Sequence, residues 1–287
     1  MLAIYNRELK SYLTSMVGYL FMFFVLLIAG IYFSAYQLTA AYPKFEYTLN
    51  AMTFVFLIAV PILTMRVLAE ERKQKTDQLL LTSPVSVLGI VMGKYLALVT
   101  IYAIPIAVLA TYPLLMSKFG TVELGAAYTA LLGFFLLGSA NIAIGVFFSA
   151  ITESQVIAAV LTFVFLFAFY MMNGISSFFS QTEMSTWVTF ALLIFALSLM
   201  IYSMIKNLVI SGVICVIGEV ALAIIYFVKS SMFEGGIQKV LEVFNLSSHF
   251  KNFTNSIFDV TGVIYFLSVI AICIFLTMQT ILKRRWN

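Results

Sequence analysis

Arg66-Val-Leu-Ala-Glu-Glu-Arg-Lys-Gln-Lys-Thr-Asp-Gln-Leu-Leu-Leu-Thr-Ser-Pro84 is a polar island between two long apolar runs, and that contrast decides the fold. Only 10% of the 287 residues are charged and 63% are hydrophobic, yet Arg66, Glu70, Glu71, Arg72, Lys73, Lys75 and Asp77 crowd into a few helical turns. A mean hydropathy of +1.07 leaves too little charge to cover a soluble domain. Each flank reaches the ~20 apolar residues that one helical crossing needs, so the island must lie at a membrane face.

Working outward, eight such runs are read: Val17–Tyr36, Thr48–Met65, Ile90–Met116, Leu124–Ala150, Val156–Ile175, Trp187–Ile205, Leu208–Val228 and Val263–Leu282. They are apolar all round rather than alternating, which selects helices over barrel strands. The first run is too long for the apolar core of a signal peptide, and no cleavage site follows it. An even number of crossings puts both termini on one face. That face holds eleven Lys and Arg (Arg7, Lys10, Arg66, Arg72, Lys73, Lys75, Lys94, Lys206, Lys283, Arg284, Arg285) against five on the other (Lys44, Lys118, Lys229, Lys239, Lys251). The asymmetry assigns termini and island to the cytoplasm. The net charge of +4 is a topology signal, with no nucleic-acid patch in it.

Residues 1–16 carry Leu2, Tyr5, Leu9, Tyr12 and Met16 at helical spacing, which suits an interfacial helix. Ser83-Pro84 reads as a helix start, with the hydroxyl as cap and proline at the first turn. A surface helix from Pro84 to Tyr95 would then descend into the third span, with Lys94 snorkelling to the headgroups. Residues 187–228 form a hairpin turned at Lys206-Asn207, and 229–262 read as amphipathic helices on the outer face. One membrane domain, 1–287, is the economical reading.

Chemistry-bearing clusters are scarce. His249 is the single histidine, which excludes zinc sites of the HExxH type and Ser-His-Asp hydrolases. Cys215 and Cys273 sit inside spans as packing residues. No GxxxxGK[ST] loop is present, so the chain should not hydrolyse a nucleotide itself and needs no cofactor of its own. Glu219 lies mid-span, where a charge costs roughly 2.5–3.5 kcal/mol, and Asn141 and Asn173 are read as interhelical hydrogen-bonding residues. Topology alone would not require three acids, a leucine triplet and a capped helix start in the island. That surplus reads as a docking surface for a soluble partner.

Glu71-Arg72, then Thr76-x-x-Leu79-Leu80-Leu81-Thr82-Ser83-Pro84-Val85-Ser86 and Gly93-Lys94-Tyr95, resemble the connection between the second and third spans of ABC-2 type permeases. Arg7-Glu8-Leu9-Lys10-Ser11-Tyr12, His249-Phe250-x-x-Phe253, Tyr265–Ser268, Phe275–Thr277 and Arg284-Arg285-Trp286 are similar to the gliding-motility-associated (GldF-like) branch. The resemblance implies an all-α membrane subunit of an ATP-driven exporter, with residues 66–95 as its coupling region. Its expected partners are cytosolic ABC ATPase subunits, which bind ATP and magnesium, a second permease copy or paralogue, an auxiliary membrane protein and the lipid bilayer. It further implies that the 187–228 hairpin is additional to a six-helix core. Two positions depart from the family's pattern: Lys75 and Asn255-Ser256 stand where glycine is common. The alternative is a self-sufficient secondary transporter or channel, which calls for internal pseudo-symmetry and several buried ionisable residues.

Overall fold

The computed structural model describes residues 1–76, 85–206, 208–228, 230 and 233–286. Among them every regular element is helical. The order is α1 (Leu2–Thr14), α2 (Met16–Phe33, continued by a π-helical Ser34–Thr39), α3 (Glu46–Ala51), α4 (Phe56–Thr64), α5 (Ala69–Lys73), α6 (Val87–Leu109) and α7 (Thr111–Met116). Then follow α8 (Leu124–Ile151), α9 (Gln155–Tyr170), α10 (Met172–Ser177), α11 (Glu183–Ile205), α12 (Leu208–Val228), α13 (Gly236–Val243), α14 (Leu246–Thr254) and α15 (Val260–Trp286).

Among the described residues, six helical stretches are long and apolar enough to cross a membrane: Met16–Thr39, Glu46–Lys73, Val87–Met116, Leu124–Ile151, Ser211–Val228 and Val260–Arg284. Gln155–Tyr170 is a shorter apolar helix, so one of the eight expected crossings falls below that length, while the apolar stretch Glu183–Leu199 is part of the 23-residue α11. A turn at Met171 ends α9, whose 16 residues rise only about 24 Å, and α10 starts directly after it.

The chain divides into two compact units, residues 1–170 with 246–287, and residues 171–245. In the first, α8 is the most buried candidate span and forms the axis of the packing. α6 is stitched to it by buried tyrosines: Tyr102 donates to the Phe134 carbonyl at 2.7 Å and Tyr95 to that of Ser139 at 3.2 Å. In a bilayer such interhelical bonds contribute about 0.6–2 kcal/mol each. α14 closes one end through fully buried Phe250 and Phe253. Asp259 fastens the start of α15, accepting from Asn252 Nδ2 at 2.7 Å and the Thr261 N–H at 2.9 Å.

In the second unit α11 and α12 form a hairpin whose turn places Lys206 in the left-handed region, φ 52°. Ile194 packs on Gly218, and the Trp187 and Tyr226 rings lie 5.8 Å apart. Glu219 is half-buried on α12.

Candidate functional site

The site is built where α1 meets the island and the first turns of α6. α1 buries Ile4 and Tyr12 and half-buries Glu8 between them, three residues at i, i+4 and i+8, while Leu2 is exposed. Its inward stripe therefore has a carboxylate in the middle; of the apolar set Leu2, Tyr5, Leu9, Tyr12 and Met16, Tyr12 is buried, Tyr5 and Leu9 are half-buried, and Leu2 and Met16 are exposed. Gly93 lets α1 lie close: a Cβ there would come within 3.2 Å of Ile4 Cγ2 and of the Met1 carbonyl. The next residue, Lys94, is 1% exposed.

Lys94 carries three N–H donors and has three acceptors. Its Nζ lies 3.0 Å from Glu8 Oε1, 2.9 Å from Glu71 Oε1 and 3.0 Å from the Val67 carbonyl. Arg7 Nη2 bridges the same two carboxylates at 2.8 Å each. Two cations and two anions thus close a neutral cluster joining α1, α5 with the connection before it, and α6. Burial alone would push the Glu8 carboxyl up, but Lys94 and Arg7 outweigh it and hold it below its ordinary value. A cavity of about 230 Å³ opens beside the cluster, lined by these four residues together with Ser11, Tyr12, Arg66 and Glu70. Glu71 Oε2 is buried there with no hydrogen-bond partner among the described residues.

The island is also fastened on its other side. The second candidate span is broken between Thr64 and Ala69, which exposes backbone groups that must find partners. Ser149 of α8 supplies them: its Oγ accepts from the Leu68 and Ala69 N–H groups at 3.1 Å each and donates to the Met65 carbonyl at 3.2 Å. Gly145, one turn earlier, allows this approach, since a Cβ there would overlap Thr64. Arg72 donates to the Ala150 carbonyl. Tyr12 donates to the Leu63 carbonyl at 3.1 Å, and the Arg66 guanidinium lies 5.5 Å from its ring while pairing with Glu70 at 3.1 Å.

Of the residues singled out in the sequence, Glu71, Gly93 and Lys94 are brought together, and Arg72 turns toward the end of α8. Thr76 is exposed, its hydroxyl donating to the Glu71 carbonyl at 3.3 Å. Leu79, Leu80, Leu81, Ser83 and Pro84 lie outside the described residues. Two expectations are corrected. Lys94 does not snorkel, because three acceptors capture its amine inside the protein. Val87–Tyr95 is no separate surface segment but the start of one helix running to Leu109, capped by Ser86 Oγ on the Gly89 N–H at 3.2 Å.

Asn141 is buried on α8 beside a small cavity of about 20 Å³. Asn173 belongs to α10, and its side chain lies outside the described set. His249 stacks on Tyr265 at 3.9 Å, which makes it a packing residue at this contact. Both departures from glycine fall in the left-handed region, Lys75 at φ 56° and Ser256 at φ 65°, where glycine would sit without steric cost. Sequence reasoning missed Arg7 and Glu8 as members of the site. The available signal was scarcity: in a chain with 12 acids, one on the inward side of an apolar helix calls for a partner.

A family model described as ABC-2 family transporter protein matches residues 7–212, more than two thirds of the chain and inclusive of the whole cluster. No curated protein matches the chain. The chain belongs to the ABC-2 transporter family, a family of membrane transport components.

Proposed function

As a member of that family, this chain, we propose, is the permease subunit of an ATP-driven exporter whose ATP is hydrolysed by separate cytosolic subunits docked on the island. The observation that carries the reading is the neutral cluster around Lys94. It fixes α1, α5 with the connection before it, and the first turns of α6 to one another, and Ser149 and Arg72 add the end of α8. A displacement of the segment between α5 and α6 is then delivered to several spans together instead of being absorbed by a hinge. The Lys and Arg asymmetry supports an orientation with island and termini in the cytoplasm. Similarity at both ends of the chain favours the gliding-motility-associated branch. A self-sufficient ion-coupled transporter gains nothing from Lys94, whose amine is buried between Glu8, Glu71 and the Val67 carbonyl.

The test is replacement of Glu71 and Arg72 by alanine in the reconstituted complex with its ATPase. Membrane insertion should persist while transport-linked ATP hydrolysis falls about tenfold, the effect of ~1.4 kcal/mol of lost coupling. Undiminished coupling would reduce the island to a determinant of topology.

A further inference from the structure

At the opposite end of the second candidate span, Glu46 opens α3 at 6% exposure. Its Oε2 is buried and has no hydrogen-bond partner among the described residues. A carboxylate left this way is costly, so its retention points to something that donates to it. Beside it is a cavity of about 230 Å³ whose lining is polar throughout: Lys44, Glu46, Tyr47 and Asn50 from one side, Thr254, Asn255 and Ser256 from the turn after α14.

The cavity is held open by its own framework. Gln37 spends both ends of its amide on this segment, donating to the Lys44 carbonyl at 3.0 Å and accepting from the Thr48 hydroxyl at 2.7 Å. Ser256, in its left-handed conformation, reverses the chain so that Thr254–Ser256 face the cavity, and strain of that kind persists where the surroundings fix it. Preorganisation of this sort favours a ligand site over a chance gap.

The chemistry narrows the ligand. Glu46 accepts only, and the Asn50 and Asn255 carbonyls and the hydroxyls add further acceptors, which together suit the three N–H groups of a primary ammonium. Exposed Lys44 offers the complementary cation for an anion a short distance away. Glu46 stands at the start of a span whose far end carries the island, so the cavity lies at the other membrane face. We propose that it binds an ammonium–phosphate headgroup of the phosphoethanolamine type, ammonium on Glu46 and phosphate on Lys44.

The test uses the purified full-length protein in detergent, with lipid retention read by native mass spectrometry. Phosphatidylethanolamine is compared with phosphatidylcholine, which has the same charges but no N–H donor. The wild type should retain the former about tenfold more, and Glu46→Gln should bring the ratio near one. Lys44→Ala should weaken both lipids and leave their ratio unchanged. Should Glu46→Gln fail to fold, Asn255→Ala carries the same prediction in weaker form. A thermal shift with soluble phosphoethanolamine would show that the headgroup alone suffices, whereas retention of the lipid only would assign the bilayer as its source. Equal retention of the two lipids by the wild type, or an unchanged preference in the Glu46 and Asn255 variants, overturns the proposal. Neither ATPase nor transport enters the measurement, so its failure would leave the exporter reading where it stands.

Discussion

Replacing Lys94 by methionine removes the one group that serves three elements at once. The side chain is nearly isosteric along its stem, so packing against α1 survives and the change is chiefly electrostatic. Glu8 and Glu71 side chains, 12% and 17% exposed, are left sharing Arg7 alone, with one negative charge in excess. Breaking a buried pair from one side costs about 3–5 kcal/mol, and the remaining guanidinium, itself 54% exposed, places the expectation at the lower end, about 3 kcal/mol. Adding Glu8→Gln to Lys94→Met removes the excess charge and lets Arg7 pair with Glu71, which should recover about 1–3 kcal/mol. Titration of the purified protein with SDS, followed by circular dichroism, reads both free energies. A single variant within about 1 kcal/mol of wild type, or a double variant no more stable than the single, would refute the cluster as the fastening of α1.

Two further outcomes follow from the same region. The Glu8 carboxyl is held below its ordinary value of 4.5, so its contribution is complete above about pH 5 and is lost as pH falls through the depressed value. The gap in melting temperature between wild type and Glu8→Gln should be flat from pH 7 to 5 and close toward pH 3. Ser149→Ala leaves the Leu68 and Ala69 N–H groups without their acceptor, which should cost at least about 2 kcal/mol. Faster hydrogen exchange at those two amides would locate the loss, and unchanged exchange would refute the assignment of Ser149 as their cap.

The spans were legible because hydropathy is a local property: a run of apolar residues carries its own message. The break at Met65–Leu68 was not, since the side chain that makes it affordable comes from Ser149, 80 residues away in the chain. The spacing of α1 marks it as helical and places Tyr12 on its inward side, but it does not mark Glu8, which looks like a surface residue until Lys94 is set beside it. Lys94 was drawn into the site by its place in Gly93-Lys94-Tyr95, with the wrong physical role. A lysine near a helix end snorkels by default, and only its spatial neighbours reveal otherwise. The two departures from the family's glycine pattern carried no backbone geometry of their own in the sequence. Lys75 and Ser256, at positions where the family favours glycine, are two of the four non-glycine residues at positive φ among the described residues. Leu79–Pro84, expected together with Glu71 and Arg72 to meet the soluble partner, lies outside the described residues.

The order of the cluster's members along the chain bears on how the protein is made. Arg7, Glu8 and Glu71 all leave the ribosome before Lys94, and synthesis at ≈5–20 residues per second separates Glu71 from Lys94 by a second or more. During that interval the two carboxylates have only Arg7 between them. Lys94 arrives last, carried on the helix that α1 will lie against, and its arrival neutralises the group. The fastening of α1 therefore waits for the third span to be made and inserted. A chain stalled or cut before Lys94 would leave α1 loosely held and its charges open to the quality-control machinery.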